Sequence, residues 1–146
     1  MTPVVRLASF ADAQECERLD TEARQETAGA RGADAFFAEQ PVGFLAGDAS
    51  GFSLVAEVDG VTVGFATVRT TRVGEGLVAS IVRVFVTARA RRVGVGDALI
   101  AAARAQARER GCTRIDAMAL PGDRDTKNLY ERNGLTARLI VATSAL

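Results

Sequence analysis

A mixed α/β sheet, an antiparallel meander followed by a β-α-β crossover with helices on both faces, is the fold class that this sequence predicts. Three observations predict it. Asp59-Gly60 sits between two alternating apolar runs, the signature of a two-residue hairpin. A run dense in β-branched residues follows, Leu77 to Val86. Beyond it, an alanine-rich helix leads into one further strand, and a strand–helix–strand unit of that kind is a crossover connection.

Taken in order, Val4–Ala8 reads as a short strand. Asp12 can cap a helix that carries Leu19 inward and runs to about Thr21. The stretch "TAGARG" breaks that helix, and Asp34 to Gln40 forms a second, shorter one ended by Pro41. The hairpin strands are "FSLVAEV" and "VTVGFATVRT", followed by the strand Leu77–Val86. A long helix then runs from about Gly94 to Arg110, with Val95, Leu99, Ala102 and Gln106 on one side. Gly111 suits its C-cap, and Arg104, Arg108 and Arg110 complement the dipole at that end. "TRIDAMAL" is a strand, "PGDRD" a turn, and Asp125 the cap of a two-turn helix from Thr126 to Asn133, closed by Gly134. "TARLIVATS" is a last strand.

Composition narrows the chemistry. The 146 residues suit a single domain, 1–146, with 48% hydrophobic and 25% charged side chains. Lys+Arg and Asp+Glu balance at 18 each, so no overall field recruits nucleic acid or an anionic membrane. No apolar run approaches a membrane span, and the first ten residues lack the apolar stretch of a signal peptide, so a cytoplasmic protein is expected. Cys16 and Cys112 form neither a disulfide framework nor a zinc set, and no metal is expected. The absence of histidine excludes Ser-His-Asp triads, Cys-His pairs and His-ligated metals.

The densest chemical signal is Arg91-Arg92-Val93-Gly94-Val95-Gly96, after a hydrophobic strand and at the opening of a helix. Glycines let a backbone approach an oxyanion, successive N–H groups form a cradle, and the helix dipole favours the charge. Arginine adds charge-assisted hydrogen bonds to phosphate. The plainer alternative is a flexible turn with a solvated arginine rim. A P-loop needs G-x-x-x-x-G-K-[ST], which is absent. A dinucleotide fingerprint fails because Leu99 stands where Gly or Ala is required.

The strand "IVRVFV", the segment "TARARRVGVGDALI" and the later "KNLYERNGL" together resemble the acyl-CoA-binding core of the GNAT acetyltransferase superfamily. The order of elements agrees with that family over nearly the whole chain, and the specific part of the likeness covers about 82–99 and 123–135. The resemblance implies a GNAT-like acyl-CoA N-acyltransferase fold, with acetyl-CoA as co-substrate and a primary amine as acceptor. It further implies that Arg91, Arg92, Val93, Gly94, Val95, Gly96, Asp97 and Ala98 hold the pyrophosphate. Val84, Phe85 and Val86 would pair by backbone with the pantetheine arm and offer an N–H to the thioester oxygen. Tyr130, the one tyrosine, matches the family residue that protonates the departing thiolate; the alternative is a packed aromatic. Asn128 either touches the cofactor or stands on a solvated helix face.

Three departures from the family pattern matter. The usual strand-four glutamate is missing, its place falling near Ser80, which leaves Glu75, Glu57 or a water chain as base. Asp123 replaces the asparagine that usually precedes the "LYE" segment. The tail holds a single strand where the family has a hairpin, so a partner subunit in a homodimer is expected to cover the sheet edge. A CoA-binding sensor without turnover and a small nucleotide-binding domain are the competing functions. Phe36, Phe37 and Phe44 either roof an acceptor pocket or belong to the core, and Arg83, Arg89, Arg91 and Arg92 are too isolated from aromatics to read as a nucleic-acid patch.

Overall fold

The computed structural model describes residues 2–146. Its strands are β1 (Val4–Leu7), β2 (Gly51–Val58), β3 (Val61–Val73), β4 (Gly76–Val86) and β5 (Cys112–Ala117), and its helices α1 (Ala13–Thr27), α2 (Ala33–Glu39), α3 (Val95–Glu109) and α4 (Arg124–Arg132). The sheet runs β1-β2-β3-β4-β5 in space, antiparallel as far as β4 and parallel between β4 and β5.

Local chemistry explains the hairpin. Asp59 and Gly60 both have positive φ, 51° and 78°, the left-handed pair that a two-residue turn needs to match strand twist. Helix α1 is a turn and a half longer than the sequence predicts, because the charged run after Thr21 still packs Ala23 inward. Asp12 does not cap it by side chain. Its carboxylate instead accepts from the Ser9 N–H and from both terminal nitrogens of Arg6, each at 2.8 Å.

Each sheet face buries its own layer. Phe52, Leu54, Ala56, Ala66, Val68, Ala79 and Ile81 pack against α3, whose buried stripe is Val95, Leu99, Ile100, Ala103 and Ala107. That stripe lies one position beyond the expected Ala102 and Gln106, which are only half-buried at its margin. Val55, Phe65 and Phe85 pack with Cys16 and Leu19 of α1 on the opposite face.

A bulge in β4 couples the two faces. Thr67 pairs with Arg83 and Val68 with Ile81, so Val82 is an additional residue. Side-chain alternation has a period of two, and one extra residue inverts it. Ala79 and Ile81 therefore point to α3, whereas Phe85 points to α1 and Val84 and Val86 to α3. Arg83 goes with Phe85, beneath α2.

That buried arginine is fully partnered. Its Nε donates to Asp20 Oδ1 at 2.7 Å, Nη2 to the Gln40 carbonyl at 2.7 Å and Nη1 to the Val82 carbonyl at 3.0 Å. Gly43 is required beside it, since a Cβ there would overlap the Asp20 carboxylate. A hydroxyl chain anchors this loop: the Leu45 N–H donates to Ser53 Oγ, Ser53 Oγ meets Thr67 Oγ1 at 2.6 Å, and Thr67 donates to the Gly43 carbonyl. Because Thr67 spends its proton on Gly43, Ser53 must donate to Thr67, and the chain has one direction.

The expected last strand does not form. Among the described residues, those beyond Leu135 make no ladder with any strand, and Leu139, Ile140 and Val141 are 69–90% exposed. Among the described residues only Arg138 ties the segment down, through two hydrogen bonds to Asp116 of β5. β-branched composition marks a strand only where a neighbour is present to pair with it.

Candidate active site

The site begins where β5 leaves β4. Their last paired residues are Ile81 and Ala117, extended by the Met118 N–H donating to the Ile81 carbonyl at 3.1 Å. From Val82 to Val86, β4 pairs with β3 alone, and the freed margin opens into a cleft of about 580 Å³. The α3 cradle, Tyr130 of α4, Met118 and Leu120 after β5, and Phe36 and Phe37 of α2 complete its walls.

The cradle is built by two left-handed residues in alternation, Arg92 at φ 67° and Gly94 at φ 86°. Successive turns of this hand converge backbone N–H groups on one point. Among the described residues no backbone carbonyl takes the N–H groups of Arg92 to Gly96, whereas the Ala98 N–H is already bonded to the Gly94 carbonyl at 3.0 Å. Ala98 therefore contributes no donor, and neither it nor Val93, which is 45% exposed, lines the cleft. The free donors stand at the positive end of a helix of 15 residues, where anions are favoured. A pyrophosphate fits this arrangement.

The other residues expected from the sequence separate into roles. Val84, Phe85, Val86, Arg91, Arg92, Gly94, Val95, Gly96, Asp97, Asn128 and Tyr130 all line the cleft. Arg92 has no carboxylate or hydrogen-bond partner among the described residues and is free to meet an anion. Arg91 is not free. Its Nη2 reaches both oxygens of Glu26 at 2.8 and 2.7 Å, and its Nε donates to the Val86 carbonyl. The Asp97 side chain is engaged as well, accepting from Arg132 and from Asn133, and those hydrogen bonds hold its pKa below the ordinary carboxylate value.

Gly96 has a packing reason that sequence reasoning missed. A Cβ there would stand 3.2 Å from both methyl groups of Leu129, so α3 and α4 approach through it. Gly94 has open space around it and is needed for its positive φ.

Tyr130 is buried on α4, and its hydroxyl donates to the Met118 carbonyl at 2.7 Å. Burial, then the Asp123 carboxylate, push its pKa well above that of a free phenol, so the hydroxyl keeps its proton. Asp123, not Asp125, caps α4: it accepts from the Thr126 N–H at 3.0 Å and the Thr126 hydroxyl at 2.7 Å. Asn128 is exposed at the rim.

Neither carboxylate expected as a base reaches the cleft. Glu57 pairs with Arg6 on the far strand β2, and Glu75 lies exposed in the β3–β4 turn. The cleft instead holds Glu26, Asp97, Asp123 and Asp125. Three of these have partners, which a sequence does not display because Glu26 and Arg91 lie 65 positions apart.

Residues 9–135 match the model of the Acetyltransferase (GNAT) family. The chain belongs to the GNAT acetyltransferase family. As a GNAT protein it is an acyl-CoA-dependent acyltransferase with the mixed sheet of that family. Among solved structures it is similar to the ribosomal-protein-alanine N-acetyltransferase of Brucella melitensis biovar Abortus 2308, at 25% identity and TM-score 0.76, over 99% of each chain. It is similar in fold to the aminoglycoside N-acetyltransferase AAC(6')-Iy in complex with CoA, at 19% identity and TM-score 0.70, over 98% of this chain and all of that one. A transcriptional regulator of Bacillus halodurans C-125 shares the fold at 23% identity and TM-score 0.72, over 99% of this chain and all of that one. No curated protein matches the sequence.

Proposed function

We propose that this GNAT protein moves the acetyl group of acetyl-CoA directly onto a primary amine within a ternary complex. The observation that carries the reading is the cradle of unpaired N–H groups between Arg92 and Gly96, opening onto the same cleft as Tyr130. The pyrophosphate is held at the cradle with Arg92, and the acyl arm lies along the β4 margin at Val84–Val86. Holding both reactants in one cleft replaces an encounter by a geometry, and backbone donors at the margin stabilise the developing oxyanion. Tyr130 supplies a proton to the leaving thiolate; its O–H turns about the C–O bond from the Met118 carbonyl without moving the ring. With Glu57 and Glu75 remote, the acceptor loses its proton to water before attack.

A second reading, a CoA-binding regulatory domain, has in its favour the lack of a carboxylate near Ser80 and the fold shared with a transcriptional regulator. Calorimetric titration with acetyl-CoA, paired with release of free thiol over an amine panel, separates the two. Binding with turnover supports the transferase. Binding without turnover supports the regulator, and the absence of binding removes both.

The exposed Leu139–Val141 segment and the outer edge of β5 also support a homodimer in which a second copy covers them. Light scattering on the full chain and on a chain ending at Arg138 tests this. A dimer converted to monomer by truncation is expected, and a monomeric full chain refutes it.

A further inference from the structure

We infer that the acceptor amine is carried on an apolar body of about aromatic size, bearing a single amine rather than several; this rests on the acetyl-transfer reading above. The acceptor region is located by contacts. The Tyr130 hydroxyl meets the Met118 carbonyl, and two residues further on the Leu120 side chain lies against the start of α2, 3.8 Å from where a Cβ on Gly32 would stand. Between the proton donor and α2, then, lies a short span of cleft walled by Met118 and Leu120 on one side. Phe36 and Phe37 wall the other.

These aromatics are mounted rigidly. Their rings meet edge to face at 5.2 Å, and Phe37 is held by the guanidinium groups of Arg24 at 4.5 Å and Arg83 at 4.8 Å. Arg83 also borders the cleft, but its charge is spent on Asp20 and two carbonyls, so beside it the rings supply the open surface. Opposite them Met118 is 40% exposed, an adaptable apolar surface with no packing duty of its own.

The charge inventory excludes a polycation. Glu26 is neutralised by Arg91 and Asp97 by Arg132, while Asp123 keeps its charge but turns its oxygens to the Thr126 N–H and hydroxyl as a cap. Asp125 alone is unengaged among the cleft carboxylates. One carboxylate with uncommitted oxygens suits one ammonium, whereas a polyamine would bring further charges into contact with arene and thioether.

Covering an aromatic-sized body by these walls is worth about tenfold or more in kcat/KM over a bare amine. The test measures thiol release from acetyl-CoA with phenethylamine, a peptide amide beginning with phenylalanine, methylamine and spermidine. Phenethylamine or the peptide is expected to exceed methylamine and spermidine by at least about tenfold, and which of the two is faster tells a small amine from a peptide N-terminus. Met118→Asp, at an exposed position, should abolish that advantage and favour spermidine; Phe36→Ala should cut it while leaving the acetyl-CoA Kd unchanged. A preference for spermidine, or equal rates for methylamine and phenethylamine, overturns the inference. If acetyl-CoA binds by calorimetry and no amine is acetylated, the transferase reading itself falls and the acceptor class with it.

Discussion

The hydroxyl of Tyr130 and the carbonyl of Met118 are joined by a 2.7 Å hydrogen bond that ties α4 to the strand end flanking the cleft. A group with that bond has both a structural duty and a chemical one. Tyr130→Phe keeps the ring and leaves one carbonyl unpaired, which costs about 1 kcal/mol of stability. If the hydroxyl is the proton donor, kcat also falls about 10²–10⁴-fold with the acetyl-CoA Kd unchanged. A variant that loses stability but turns over at the wild-type rate, with chemistry shown to be limiting by a pre-steady-state burst, leaves the hydroxyl only its structural duty.

Arg91 and Arg92 are adjacent in sequence and differ in availability. Arg92→Ala should weaken CoA binding and lower the salt dependence of Kd, while leaving a pantetheine fragment without pyrophosphate unaffected. Arg91→Ala should do less, because Glu26 already holds that side chain. Glu26→Gln releases Arg91 towards the phosphate, so CoA should bind tighter and with a steeper salt dependence. Weaker binding in Glu26→Gln would show that the pair positions the cleft wall instead.

Gly96 connects ligand binding with helix packing. Gly96→Val drives two methyl groups into Leu129 and should cost about 1–3 kcal/mol, visible as a lower Tm in calorimetry. Pairing it with Leu129→Ala should restore part of the loss, since the obstructing methyl groups are removed. Gly94→Ala, whose Cβ meets nothing, tests the cradle with less disturbance of the core. An unchanged Tm in Gly96→Val would remove the packing role.

Asp20 and Arg83 form an ion pair with side chains 12% and 3% exposed. Truncating one member of such a pair strands the other charge, at about 3–5 kcal/mol. Asp20→Ala should therefore destabilise the chain by about that much in urea titration. The double variant Asp20→Ala/Arg83→Met should recover much of it. Equal losses in the single and double variants would mean that the loop anchored by Gly43, and not the charge pair, supplies the stability.

Acid should destabilise the fold in a defined window. Hydrogen bonds from Arg6, Arg132 and Arg138 lower the pKa values of Asp12, Asp97 and Asp116 below the ordinary 3.8. A carboxylate with a depressed folded-state pKa contributes fully above its unfolded value and loses that contribution as pH falls through the folded one. Stability should hold flat on this account down to about pH 4 and then decline. Arg6→Gln should shallow the decline, and an identical acid limb in that variant would assign it to other groups.

What was legible in the sequence had a local cause. The Asp59-Gly60 hairpin and the cradle at Arg92–Gly96 are each specified by neighbours whose backbone preferences suffice. Other features depend on distant partners. Glu26 with Arg91, Asp20 with Arg83 and Gly96 with Leu129 are meetings that residue types do not announce. The Asp125 expectation failed because both Asp123 and Asp125 are good capping residues, and only the turn geometry selects Asp123. The last strand was misread because Leu139, Ile140 and Val141 suit a strand by composition, while among the described residues none beyond Leu135 pairs with a strand of the sheet.

Val82 gives β4 one residue more than its pairing with β3 requires. Remove that one residue and Ile81 and Arg83 become neighbours with their faces unchanged, Ile81 and Val84 towards α3 and Arg83 and Phe85 on the side of α1, so the ladder runs on without its bulge. Descendants of this chain can therefore shed a residue at Val82 without turning β4 over. Larger variation in length belongs to the connections at Gly74 and Gly122, where the backbone has open space around it.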